Sequence, residues 1–237
     1  MIETDNLCLK KKVPEISKLN LHIENGESYV LLSSADRAVD HFVDIFSGVE
    51  QRYTGSVKID NVDMAIDPEE CRKRLIYLSS RSQWPPEMKA GHIISFFKKW
   101  AAASNRDHGM SDDELEELYI KLNLDAILKK KISELENVAW RRIIFSLARL
   151  KRSGNYIFHD FCKGMPLDFN LEFKKSLSLM KKSGCSILYL SDDVFLAPEI
   201  GDRIGFMKKG KLLLELKASK MKKMELKELY FQFLAEK

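Results

Sequence analysis

Tyr29-Val-Leu-Leu-Ser-Ser-Ala-Asp-Arg-Ala-Val-Asp-His-Phe-Val-Asp-Ile-Phe-Ser-Gly48 runs from an apolar stretch through a polar loop into an apolar-periodic segment that stops at glycine. It reads as strand, loop and helix. Tyr29 to Leu32 suit a buried strand, and Val39, Phe42, Val43 and Phe46 recur at helical spacing, as a helix facing a sheet requires. A loop in this place holds phosphate when it reads Gly-x-x-x-x-Gly-Lys-Ser/Thr, because bare backbone amides, a lysine and a hydroxyl then face the anion. Ser33, Ser34, Asp36, Arg37, Val39 and Asp40 make a loop and first turn with neither glycine nor lysine.

The composition is that of an ordinary globular chain. It has 237 residues, 45% hydrophobic and 31% charged, enough to bury one full core with a subdomain. The net charge is +4, but lysines and arginines are dispersed among 35 acids, which argues against a nucleic-acid partner. The basic clusters Lys10 to Lys12, Lys129 to Lys131 and Lys220 to Lys223 read as solvated surface or, more sharply, as contacts to an anionic membrane face. Cys8, Cys71, Cys162 and Cys185 are far apart and fit reduced thiols in or near the core. With no signal peptide and no run of ~20 apolar residues, a cytoplasmic chain that does not span a membrane by itself is expected.

Outward from the opening stretch, residues 1–32 alternate short apolar runs with a turn at Glu24 to Glu27, a hairpin-like antiparallel start. Strands are predicted at Gly55 to Asp60 and Arg74 to Leu78, with a short polar helix around Pro68 to Arg72 between them. Ser111 to Glu114 is a capping box, followed by Leu115, Leu118 and Leu122 at helical spacing. Helices are predicted over 138–150, 170–182 and 226–235, and strands over 155–158, 185–190 and 204–207. The alternation implies an α/β fold with a parallel sheet covered on both sides. Residues 90–128 read as an all-helical insertion between core segments 1–89 and 129–237.

In this order of elements the chain resembles the ATP-binding cassette (ABC) ATPase domain over nearly its whole length. The span from Leu31-Leu32 to Ser47-Gly48 equals the family's phosphate-loop segment. Ile132-Ser-Glu-Leu-Glu-Asn-Val-Ala-Trp-Arg-Arg142 is similar to the family's signature run, Val-x-x-Leu-Ser-Gly-Gly-x-x-x-Arg. Without gaps, His159-Asp160 then falls on the Asp-Glu pair, Gly164-Met165 on the next loop's Gly-Leu, and Asp202-Arg203-Ile204 and Gly210-Lys211-Leu212 on the closing motifs. The implied fold is the ABC nucleotide-binding domain: a P-loop NTPase-like parallel sheet core, an N-terminal antiparallel β subdomain and the helical insertion.

The chemical positions of the family are altered. Val39 replaces the loop lysine and Asp40 the Mg²⁺-binding serine. Asp36 and Asp40 put carboxylates where phosphate oxygens belong, and unit charges ~4 Å apart repel by roughly 4 kcal/mol at an effective dielectric near 20. Arg37 offsets part of this; the plainer reading is that both acids cap or solvate the helix start. The signature becomes Leu135-Glu136-Asn137-Val138, where Glu136 has the wrong charge for a γ-phosphate and Val138 blocks close backbone approach. In the gapless register His159 takes the Mg²⁺-linked aspartate's place and Asp160 that of the catalytic glutamate; a one-residue shift restores the aspartate but puts Phe161 at the base. Asp160 reads as a shortened general base or as a capped loop acid. Ser80 stands for the family's glutamine and Asp192 for its switch histidine, and no aromatic in Leu9 to Lys18 offers an adenine stack. His22, His41, His92 and His108 share no metal-ligand spacing.

Losing lysine, metal ligand and base together removes most of what a protein supplies to phosphoryl transfer. The resemblance therefore implies a non-hydrolysing subunit that takes no ATP or Mg²⁺ itself, or holds ATP only weakly or against a partner's intact phosphate loop. It implies an integral membrane permease as partner, an active sister ATPase or a second copy beside it, and a peripheral place at the membrane's inner face. Gln83, Trp84, Phe96, Phe97 and Trp100 are the candidate permease-docking residues, plain core packing being the alternative. Leu226 to Leu234 is similar to the short terminal helix of ABC-2-type export ATPases, which predicts no added regulatory domain. The other readings are an ABC ATPase with atypical ATP use and a free-standing adaptor that reuses the fold.

Overall fold

The computed structural model describes residues 1–10, 14–33, 37–80, 84–103, 116, 120, 124–150, 153–220 and 223–234. They divide into two compact units, one of 1–80, 154–163 and 171–237, the other of 81–153 and 164–170.

The larger unit holds two sheets. β1 (Ile2–Lys10) pairs antiparallel with β2 (Pro14–Ile23) and on its other side with β4 (Thr54–Ile59), which carries the short β5 (Val62–Asp63). The turn at Glu24 to Glu27 is not the hairpin turn expected from its composition. It passes the chain from β2 into β3 (Ser28–Ser33), which belongs to the second sheet.

That sheet has the order β10-β9-β3-β8-β7-β6, with β6 (Leu75–Ser79), β7 (Asn155–His159), β8 (Ser186–Ser191), β9 (Arg203–Lys208) and β10 (Lys211–Lys217). Neighbours from β9 through β6 are parallel. The parallel sheet core is as expected, and at one edge β10 returns antiparallel to β9. Central strands β3 and β8 are buried at every residue, as a parallel strand covered on both faces must be. Edge strand β10 instead alternates between exposed and half-buried residues along Lys-Leu-Leu-Leu-Glu-Leu-Lys.

Helix α1 (Arg37–Phe46) turns Ala38, Val39, Phe42, Ile45 and Phe46 into one buried cluster with Leu7, Ile16, Leu31, Ile157 and Leu188. Helix α2 (Pro68–Arg74) starts where the Asp67 carboxylate accepts from the Glu70 amide at 3.0 Å, with proline in its first turn and basic residues in its last. Tyr29 donates its hydroxyl to Glu215 at 2.9 Å, under the Arg203 guanidinium. Gly205 makes that possible, since a Cβ there would collide with the Tyr29 hydroxyl.

The smaller unit contains α3 (Ala90–Ala103), 3₁₀ turns at Leu124–Ala126 and Ile132–Glu134, and α4 (Asn137–Leu150), which packs on α3. The predicted capping box at Ser111 to Glu114 lies outside the described residues. Backbone bonds from Ala90 to Lys130 and from Ile132 to Met88 zip the entry of α3 to the segment before α4. Gly91 permits this, because a Cβ would press on the Leu128 carbonyl at 2.7 Å. Three further helices complete the described chain: α5 (Leu167–Lys182), the single turn α6 (Ala197–Ile200) and α7 (Lys223–Phe233).

Candidate functional site

The loop quoted first joins β3 to α1. Ser33 ends β3, buried and in register with Met207 of β9. Ser34 and Asp36 lie outside the described residues. Val39, which the resemblance sets at the place of a phosphate-binding lysine, is 7% exposed and belongs to the core cluster. Asp40 is exposed in the first turn of α1, where the helix dipole favours an acid.

The carboxyl ends of β7 and β8 bring three of the sequence candidates together. His159 closes β7, buried, in register with Ser79 and Leu190, its Nδ1 3.3 Å from the Tyr77 hydroxyl. The amide of Ser80, at the glutamine position, donates to the His159 carbonyl. Asp160 follows in the left-handed region at φ 50°, its amide bonded to the Leu190 carbonyl. Its carboxylate is buried: Oδ1 accepts from the Ser191 hydroxyl at 2.9 Å and Oδ2 lies 3.8 Å from Lys163 Nζ. The same ammonium donates to Asp192 at 2.7 Å.

A general base needs a lone pair aimed at water. The Asp160 carboxylate is buried and already accepts one bond from its own chain, the arrangement of a tethered loop acid. In the shifted register the base position falls on Phe161, 2% exposed and packed on Phe158 and Phe173 at 5.6 and 5.5 Å. Neither register supplies a glutamate. Sequence reasoning missed Ser191 and Lys163. The one signal for them is spacing, since Lys163 is three residues past Asp160 and Ser191 immediately precedes Asp192.

In the smaller unit, Leu135 to Val138 leads into α4, and the Trp140 amide bonds to the Glu136 carbonyl. Glu136 and Asn137 are exposed and Val138 is half-buried, so an acid stands at a helix start that it stabilises. Of the docking candidates, Gln83 and the Trp100 side chain lie outside the described residues. Phe97 is a core residue, the alternative reading for it: with Ile93 and Ile94 it forms the buried face of α3. Trp84 is half-buried, its ring 6.4 Å from those of Phe97 and Trp140. Among the described candidates Phe96 alone is exposed, at 57%. Among the described residues, no three His, Cys, Asp or Glu side chains group as metal ligands, and no helix is long and apolar enough to cross a membrane.

This architecture is that of the ABC nucleotide-binding domain. The ATP-binding subunit of an ABC transporter superposes with a TM-score of 0.82 at 16% identity, covering 98% of this chain and 99% of its own. The bacterial cassette MJ0796, solved as a dimer, does so at 0.76 and 17% identity, over 92% and 99%. No family model matches the sequence. Curated relatives nonetheless align along most of it. The molybdate/tungstate import ATP-binding protein WtpC of Pyrococcus abyssi is 18% identical over 214 residues, 90% of this chain and 61% of the relative. The Fe(3+) ions import ATP-binding protein FbpC of Pasteurella multocida is 21% identical over 239 residues, 98% and 65%. The glucose import ATP-binding protein GlcV of Saccharolobus solfataricus is 23% identical over 220 residues, 86% and 58%. The chain thus spans about three fifths of the length of such relatives, and is similar in sequence and fold to ABC ATP-binding subunits.

Proposed function

We propose that this chain is a catalytically degenerate ABC-type subunit: a structural or regulatory partner of a membrane permease that neither binds nor hydrolyses ATP itself. The observation that carries the reading is Val39, an apolar side chain packed into the core where the fold's phosphate-binding lysine belongs. The acids at 136 and 192 support it, since each puts negative charge where phosphate oxygens would come, and so does Asp160, whose shorter carboxylate is buried and bonded to Ser191. The chain works at the cytoplasmic, inner face of the cell membrane, as one of a pair. With an intact sister ATPase, ATP sits on the sister's phosphate loop against Leu135 to Ala139; as a homodimer both sites are inert. The short helix α7 is the basis for placing it nearest the ABC-2-type exporters.

Calorimetric titration of the purified chain with ATP and Mg²⁺, beside thermal melts, tests this. A ligand at 100 times its Kd stabilises by about 2.7 kcal/mol, so no heat and no melting shift at millimolar ATP is the expected result. A clear shift overturns the reading in favour of an atypical ATPase.

A further inference from the structure

Two lysine-bearing segments far apart in sequence meet at one corner of the larger unit. The Ser17 amide donates to the Gly210 carbonyl at 3.0 Å, tying β2 to the β9–β10 turn. Lys18 follows the first of these residues, and Lys208, Lys209 and Lys211 surround the second. Residues 10–18 carry four lysines and one acid, Glu15, and residues 208–211 carry three lysines and none. Lys18, Lys209 and Lys211 are exposed and Lys208 is half-buried. Among the described residues no ion pair engages any of these four, whereas Lys73, Lys131, Lys163, Lys174 and Lys181 each meet a carboxylate.

Backbone geometry gives lysine no reason to be there. Lys18 and Lys209 sit at φ 49° and 48°, a region that Asn or Gly enters more easily. An apolar side chain shares the site: Leu213 lies two residues from Lys211 on the same face of β10 and is 44% exposed. Phosphates alone call for cations. Cations clustered around an exposed leucine suit a surface with charged headgroups over an apolar layer.

We propose that this corner docks on an anionic phospholipid membrane, with Lys18, Lys208, Lys209 and Lys211 against the headgroups and Leu213 at the acyl boundary. The inference rests on the membrane-peripheral reading above and adds a direct lipid contact to it.

Co-sedimentation with vesicles measures that contact without permease or nucleotide, so failure here leaves the ATP titration untouched. The protein is expected to partition onto phosphatidylcholine vesicles containing about a third phosphatidylserine and not onto phosphatidylcholine alone, with binding lost near 0.5 M salt. K18N/K208Q/K209N/K211Q removes four charges and relieves both left-handed lysines, so it folds. At roughly fivefold per lysine, its partitioning is expected to fall by about 600-fold. K129Q/K130Q/K175Q/K182Q loses the same charge from exposed sites elsewhere and is expected to keep at least a tenth of wild-type binding. Equal partitioning onto both vesicle types, equal loss in both quadruple variants, or displacement by duplex DNA at equal phosphate concentration overturns the proposal.

Discussion

Lys163 Nζ donates to Asp192 at 2.7 Å while lying 3.8 Å from Asp160. One ammonium therefore holds two acids that follow the adjacent strands β7 and β8. Ser191 completes the tie, donating to Asp160 and accepting the Asp193 amide at 3.1 Å. The loops after β7 and β8 are thereby bonded to each other.

The two ties differ in worth. Asp160 is buried, so S191A strips a donor from a desolvated carboxylate and is expected to cost about 1–3 kcal/mol. The Lys163 side chain is 56% exposed, so K163M is expected to cost about 1 kcal/mol or less. Urea denaturation of both variants ranks them. The reverse order would mean that the ammonium, not the hydroxyl, anchors Asp160.

A lysine placed at position 39 is not expected to confer nucleotide binding. V39K drives an ammonium into a cluster that includes Phe42, Phe46 and Leu7, at an expected cost of about 2–4 kcal/mol, more than the cavity left by V39A. Thermal melts with and without ATP and Mg²⁺ are expected to show a lower midpoint and no nucleotide shift. An ATP-dependent rise in V39K would mean that the rest of the loop still cradles phosphate.

The frame was legible where burial is total. Tyr29 to Leu32 and Ile187 to Leu190 are apolar without interruption because both faces of their strands are covered, and a run of that kind admits little else. β10 escaped because an edge strand obeys weaker rules: Lys211, Leu213 and Glu215 share its exposed face, which breaks a strict polar–apolar alternation. The turn at Glu24 to Glu27 misled because turn chemistry fixes a reversal and not the sheet that receives the next strand. At the site, motif positions could be counted from Leu31 and Leu135. The Asp160–Ser191–Lys163 tie could not, since it depends on two strand ends meeting 31 residues apart.

Asp202 joins β9 to the start of β3 and makes stability pH-dependent. Burial raises its pKa, but the Lys181 ammonium and the Ser28 amide and hydroxyl outweigh that and hold it below the ordinary 3.8. A carboxyl depressed by folding stabilises fully above its unfolded value and loses that contribution as pH falls through the folded one. D202N is therefore expected to be less stable than wild type near neutral pH, by about 1 kcal/mol or less because the side chain is 46% exposed. The gap is expected to close well below pH 3.8. A gap unchanged in acid would assign the loss to packing.

Thiol labelling separates core from surface. Burial pushes the Cys71 thiol up to about 11, and it donates to the Val62 carbonyl at 3.3 Å. Cys162 is buried too, whereas Cys8 and Cys185 are partly exposed. Iodoacetamide at pH 8, followed by mass mapping, is expected to modify Cys8 and Cys185 in the native protein and the other two only after denaturation. Early labelling of Cys71 would show that α2 opens readily.

Phe96 and Phe97 are adjacent on α3 and are expected to part company on mutation. Phe97 is 5% exposed and meets Trp84, so F97A is expected to cost about 3–5 kcal/mol. Phe96 keeps 57% of its surface in solvent, and F96A is expected to change stability by less than about 0.5 kcal/mol. If the permease contact runs through this helix, F96A weakens recovery of the chain with cell membranes while its melting midpoint stays put. A variant that melts normally and, in the K18N/K208Q/K209N/K211Q background, still co-purifies with membranes would move the contact off α3.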